Sequence, residues 1–166
     1  MQQYYLNKLS PELGAEISGI DLIKDFNEEI QKKIYNDLIQ YKVLFFRDQN
    51  ITPQFHIKFA KSFGSIEEPH PVYPHVEGFP EIVLLENDKD NPPDTDEWHT
   101  DVTFKNDPPF ASVLYSKIIP EVGGDTLWSS LSKIYDALPN ELKVQIEKLR
   151  AIPVSYTHLT LPTRIF

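Results

Sequence analysis

The sequence predicts a mixed fold of alternating strands and helices, and three observations predict it. Apolar residues recur at every fourth position in capped stretches, short apolar runs lie between those stretches, and prolines and glycines punctuate the connections. At 166 residues, 40% of them hydrophobic, the chain can bury the core of about one domain.

Taken in order, the elements are justified as follows. Asn27 can cap a helix whose Ile30, Ile34 and Leu38 form one buried stripe beneath a charged face. The apolar run Val43 to Phe46 reads as a buried strand, followed by Arg47-Asp48-Gln49. Thr52 as cap and Pro53 in the first turn start a second helix, with Phe55, Phe59 and Phe63 on one side and Gly64 at its end. Ile82 to Leu85 reads as a strand, and Ala111 to Ser116 and Asp125 to Ser129 as two more, with a turn at Gly123-Gly124 between them. Pro139 opens a last helix that places Leu142, Ile146 and Leu149 on one face. No internal repeat, domain linker or low-complexity tract interrupts this pattern.

Charge and composition remove several classes of function. With 16 basic against 25 acidic residues the formal charge is -9, which disfavours a phosphate-backbone partner, so nucleic acid is excluded as the expected ligand. No apolar run approaches the roughly 18 residues of a membrane span, and Met1-Gln2-Gln3-Tyr4-Tyr5 lacks a signal-peptide pattern, so the expected address is the cytoplasm. There is no cysteine, so a metal would be held by nitrogen and oxygen, a donor set suited to Fe(II), Mn(II) or Zn(II).

The chemistry concentrates at His99-Thr100-Asp101. In an extended strand, residues two apart point to the same face, so an imidazole and a carboxylate can grip one metal ion from adjacent corners. A third ligand is needed and none stands out in the chain. Taken alone the triplet is a weak signal and fits a capped turn with a surface histidine better than a metal site. Its setting is more specific: Asp88 to Glu97 is a polar, proline-broken and charged loop that delivers the chain into Trp98-His99, as a lid over a reaction centre or a plain solvated connection would.

Five motifs in one order carry a resemblance: Leu13-Gly14-Ala15-Glu16-Ile17-Ser18-Gly19-Ile20-Asp21-Leu22, Phe45-Phe46-Arg47-Asp48-Gln49, His70-Pro71-Val72-Tyr73-Pro74-His75, Trp98-His99-Thr100-Asp101-Val102-Thr103-Phe104 and Gly123-Gly124-Asp125-Thr126-Leu127-Trp128. Over residues 4 to 152 the sequence resembles the Fe(II)/2-oxoglutarate-dependent dioxygenases of the TauD/TfdA (taurine dioxygenase) family. Its His70 to His75 motif looks more like the taurine branch than the alkylsulfatase or aryloxyalkanoate branches.

The resemblance implies a mixed fold, mainly β with flanking helices, a double-stranded β-helix (jelly roll), of which residues 1 to 153 would be the N-terminal part of a single domain, incomplete because the C-terminal half is missing. It implies Fe(II) as cofactor, with 2-oxoglutarate and O2 as co-substrates. His99 and Asp101 match two arms of the 2-His-1-carboxylate triad. Thr126 matches the residue whose hydroxyl helps to hold a carboxylate of 2-oxoglutarate. His70 and Tyr73 match residues that donate to the oxygens of a sulfonate substrate. Thr95 stands where the taurine branch has a substrate-touching Asn, a departure that opens the specificity to related sulfonates. The distal His ligand and the Arg that clamps 2-oxoglutarate have no match here, and neither His56, inside the second helix, nor His75, inside the substrate motif, fits that role by context.

The implied reaction hydroxylates the carbon next to a sulfonate and releases sulfite and an aldehyde. The partner is then a small-molecule sulfonate, and a homo-oligomer stays open. Two protein ligands without the 2-oxoglutarate clamp imply weak iron binding and no turnover by these 166 residues alone. The same chemistry on an alkyl sulfate or aryloxyalkanoate, or a non-catalytic module that holds an anion through His70 and Tyr73, are the other readings. A downstream His followed after roughly ten residues by an Arg would favour the oxygenase.

Val154 to Thr163 back-translates, with permitted codons, to GTC TCT TAT ACA CAT CTG ACG CTG CCG ACG, the sequence of a transposase adapter used in sequencing libraries. Residues 154 to 166 are therefore read as adapter-derived and His158 is given no role; codons that differ from the adapter would restore a Thr-rich extended tail.

Overall fold

The computed structural model describes residues 4–69, 73–90, 92, 98–103 and 105–150. They divide into two units: residues up to 66 with 113–143, and residues 67–112 with those from 144 onward.

In the first unit, β1 (Tyr5–Lys8) and β2 (Ala15–Ser18) pair antiparallel, with Leu6 opposite Ile17. Gly14, at φ 88°, lets the chain re-enter the sheet, and Ser10 Oγ clamps the connection by donating to the Leu13 carbonyl at 2.5 Å. Next come α1 (Leu22–Asp25) and α2 (Glu28–Tyr41), which carry the chain back to β3 (Leu44–Phe46), parallel to β2 in the order β1-β2-β3.

Both helices start on side chains that take the first free amides. Asp21 accepts from Ile23 and Lys24, and Asn27 accepts from Glu29 and Ile30, as the sequence led one to expect for Asn27. α3 (Pro53–Lys61) starts on Thr52 with Pro53 in its first turn, also as expected, but it ends at Ser62 rather than Gly64. The Ser62 amide and hydroxyl bond back to the last turn, so the helix closes before the glycine is reached.

These elements converge on one core. Ile17, Ile34, Leu22, Tyr4, Phe59 and Ile30 are buried, with Ile20, Phe26, Leu44, Phe46, Phe55 and Phe63 packed around them. Phe59 of α3 centres the aromatic part of it: Phe26 lies 5.0 Å from Phe59, and Phe59 lies 5.1 Å from Phe63, between ring centroids. β3, expected to be buried, is only half-buried, because Phe45 points away from the core and meets Trp128 edge to face at 5.3 Å. Gln49 ties the return of the chain to α1: its Oε1 accepts from the Leu22 amide at 2.9 Å and its Nε2 donates to the Ile20 carbonyl at 3.0 Å.

Tyr4 adds a polar lock at the core edge. Its hydroxyl donates to Asp37 Oδ2 at 2.5 Å, and the Lys33 ammonium sits 3.5 Å over its ring and 3.0 Å from the same carboxylate. Burial first, and then the Asp37 carboxylate, hold the phenol well above its ordinary pKa.

Residues 113–143 contribute less order. The strands expected at Ala111 to Ser116 and Asp125 to Ser129 are not formed among the described residues, although Gly123 and Gly124 do adopt the positive φ of a turn. A strand exists only as one side of a ladder, and these backbones have none; Leu114 and Leu127 stand 69% and 71% exposed. Two short helices follow, α4 (Leu131–Ala137), capped by Ser130, and α5 (Asn140–Ile146) after Pro139. The stripe expected on the last helix is not buried: Leu142 is partly exposed and Leu149 lies beyond the helix end, largely exposed.

In the second unit β4 (His75–Val76) and β5 (Phe79–Val83) form a hairpin around Glu77 and Gly78, the latter at φ 75°. The turn sets the register, so the strand expected at Ile82 to Leu85 begins earlier, at Phe79, and leaves Leu85 exposed. Among the described residues the sheets have three and two strands, the longest strand has 5 residues, and the two longest helices have 14 and 9, so helix outweighs the strand content expected. No helix among them is long and apolar enough to cross a membrane. The segment read as adapter-derived, with His158, lies outside the described residues.

Candidate metal centre

His99 and Asp101 come together in the second unit, with His99 Nε2 3.3 Å from Asp101 Oδ1. The route to this proximity differs from the expected strand. Trp98 to Thr100 have no regular structure, and Asp101 to Thr103 form a turn in which Val102 has φ 54°. A β-branched residue in the left-handed region costs on the order of 1–3 kcal/mol and persists only where its surroundings hold it. The turn closes when the Lys105 amide donates to the Val102 carbonyl at 3.1 Å. The Lys105 ammonium in turn pairs with the Glu67 carboxylate.

The donor separation fits a shared cation. Two ligands each about 2.1 Å from one ion and at right angles to each other lie about 3.0 Å apart, close to the observed 3.3 Å. The side chains are 56% and 61% exposed, so an ion can reach them without unfolding anything. Neutral imidazole and ionised carboxylate are the forms that ligate a metal. Among the described residues no third His, Cys, Asp or Glu joins them.

The remaining expected site residues are distributed differently. Tyr73 is half-buried in the second unit, just before β4. His70 and Thr95 lie outside the described residues. Thr126 belongs to the first unit, exposed, in the extended stretch after Gly123-Gly124. His56 is inside α3, where context had placed it, and its Nε2 is 2.9 Å from the Val113 carbonyl oxygen. His75 sits in β4.

Sequence reasoning missed Glu67 and Lys105. Opposite charges 38 positions apart carry no signal in a single chain. Nor did it anticipate the left-handed Val102, since a valine is among the last residues expected there.

Comparison with known proteins gives this geometry its setting. The family model for the taurine catabolism dioxygenase TauD, TfdA family matches residues 6–164, a span that runs into the segment read above as adapter-derived. An alkylsulfatase of Acinetobacter baylyi is 41% identical over 152 residues, which cover 91% of this chain and 47% of the relative. An alpha-ketoglutarate-dependent sulfate ester dioxygenase of Pseudomonas putida is 37% identical, with 89% of this chain and 48% of that protein covered. Among solved structures, a taurine dioxygenase from Burkholderia xenovorans superposes with a TM-score of 0.74 at 35% identity, covering 87% of this chain and 51% of the other. The chain thus spans about half the length of the relatives it matches.

Proposed function

Because the chain belongs to the TauD/TfdA family of taurine catabolism dioxygenases, we propose that it is the N-terminal part of a single Fe(II)/2-oxoglutarate-dependent dioxygenase domain that oxidises the carbon next to a sulfonate. The observation that carries the reading is the 3.3 Å approach of His99 Nε2 to Asp101 Oδ1 inside the Trp98 to Phe104 motif. The names of the two curated relatives and the fold likeness to a taurine dioxygenase support the reaction class.

A ferrous ion with 2-oxoglutarate and O2 would supply the two-electron oxidation of a C–H bond, 2-oxoglutarate leaving as succinate and carbon dioxide. The chain's own residues have four tasks. His99 and Asp101 would hold the ion through one nitrogen and one oxygen, as two of the three protein ligands of a 2-His-1-carboxylate triad. Thr126 donates its hydroxyl to a carboxylate of 2-oxoglutarate. His70 and Tyr73 donate a ring N–H and a phenol O–H to the sulfonate oxygens, which points the adjacent carbon at the oxidant. Thr95 offers one short hydroxyl to the rest of the substrate. Once that carbon carries a hydroxyl, its O–H proton leaves, a carbonyl forms, and the carbon–sulfur bond breaks to give sulfite and an aldehyde.

A second substrate reading has its own support. The relative at 41% identity is an alkylsulfatase, and a sulfate ester presents the same three terminal oxygens to His70 and Tyr73 as a sulfonate. The product distinguishes them, because hydroxylation next to a sulfate ester frees sulfate instead of sulfite. We expect sulfite from taurine and other alkyl sulfonates when the full-length protein carrying this segment is given 2-oxoglutarate, Fe(II) and O2. Sulfate from alkyl sulfates with no sulfite from any sulfonate would overturn the sulfonate reading in favour of the ester. Succinate formation that no member of either panel stimulates would contradict both.

A further inference from the structure

We propose that His56 is a latch that fastens the 113–117 stretch to α3, and that it does so with a proton held on Nε2. Every residue of the latch belongs to the first unit, and neither metal nor substrate enters it.

Of residues 113–127 only Tyr115 is half-buried, and the others are exposed. Among the described residues, two hydrogen bonds tie this span to earlier parts of the chain, and both fall at its start. His56 Nε2 lies 2.9 Å from the Val113 carbonyl oxygen, and the Tyr115 hydroxyl donates to the Gln49 carbonyl at 3.2 Å. The imidazole also meets the Tyr115 ring edge to face, with 6.3 Å between ring centroids. Lys117 completes the cluster, its ammonium 4.3 Å from the centroid of the same ring.

Both receiving points are firm. His56 belongs to α3, whose Phe55 and Phe59 pack in the core, and the Gln49 side chain is itself bonded to the Leu22 amide and the Ile20 carbonyl. Past Lys117 the support ends: among the described residues, nothing from 118 to 127 makes a hydrogen bond, ion pair or ring contact. The latch therefore sets how readily 113–117 leaves the scaffold while the core stays folded.

The acceptor decides where the proton sits. A carbonyl oxygen only accepts, so Nε2 is the donor. A ring nitrogen that carries a proton has no lone pair free for a metal, so the bond that closes the latch also keeps this nitrogen from ligating one.

The test follows trypsin cleavage after Lys117 in the chain, because the protease must draw Leu114 to Lys117 into its own groove before it can cut. Cleavage after Lys33, inside α2, measures global opening. His56→Leu is expected to speed cleavage after Lys117 roughly three- to tenfold and Tyr115→Phe roughly twofold, with cleavage after Lys33 unchanged. His56→Gln, whose amide nitrogen can reach the same carbonyl, is expected to stay within about twofold of wild type. Ring nitrogen shifts of the neutral His56 are expected to show the proton on Nε2. A neutral ring with its proton on Nδ1 would overturn the latch, since a bare Nε2 cannot donate. An unchanged rate at Lys117 in His56→Leu would overturn it too, and so would equal acceleration at Lys33 and Lys117, which would leave His56 with a share in global stability alone.

Discussion

Residues 4–66 and residues 98–129 differ in how their structure is secured. In the first stretch each helix begins on a side chain that takes its free amides, and the apolar positions close on Ile17, Ile34 and Phe59. In the second, Trp98, Leu114, Ile118, Ile119, Val122 and Leu127 are largely exposed, and order comes from isolated contacts such as Lys105 on Glu67. The first stretch is a scaffold that carries its own instructions, while the second holds the candidate ligands on a turn and irregular chain. The difference teaches that two candidate ligands can be brought together on a local turn.

The contrast breaks most directly at the apolar positions. Ile17→Ala, at a fully buried site, is expected to lower the unfolding free energy by about 3 kcal/mol in urea titrations. Ile118→Ala, at a site 90% exposed, is expected to change it by less than about 0.5 kcal/mol. Equal costs would show that the second stretch has a core of its own.

Gly19→Ala tests the tightness of the scaffold. Gly19 has φ 76°, and an added Cβ would meet Tyr5 Cδ2 at 2.9 Å, so we expect a loss of about 1–2 kcal/mol in the same titration. No loss would mean that β1 yields freely. A smaller effect is expected for Asn27→Ala, about 1 kcal/mol, with Asn27→Asp close to wild type, because only the alanine leaves the Glu29 and Ile30 amides without their acceptor. If alanine were as stable as asparagine, α2 would be held by its buried stripe alone.

The smallest effect is a pH dependence. Tyr4 is held above its ordinary pKa in the folded state, so the folded protein keeps its proton where the unfolded chain releases it. That contribution is complete below the unfolded value of about 10 and is lost as pH rises through the folded value. Stability should therefore decline above pH about 10 in wild type and decline less in Tyr4→Phe; parallel profiles for the two proteins would remove Tyr4 from the account.

The scaffold was legible where the signal is local. Asn27 and Thr52–Pro53 announce helix starts, and Ile30, Ile34 and Phe59 fall where the four-residue spacing puts them. The short α1 and α4 went unread although Asp21 and Ser130 cap them, because four and seven residues display too little periodicity. Ala111 to Ser116 and Asp125 to Ser129 have strand composition, yet strands depend on a partner that composition does not name. In the candidate centre, residue type and the surrounding Trp98 to Phe104 motif marked His99 and Asp101 as candidates. Their geometry was not legible, since the triplet lies in an irregular stretch and a turn rather than in the extended strand that the spacing suggested.

The claim underneath the functional reading is that His99 and Asp101 are metal ligands. It is tested by measuring Fe(II)-dependent succinate formation from 2-oxoglutarate in the full-length protein carrying this segment, wild type against His99→Ala and Asp101→Ala. The account predicts that each variant loses more than the roughly hundredfold seen when groups around a metal's ligands are altered. Turnover within tenfold of wild type in either variant would contradict it.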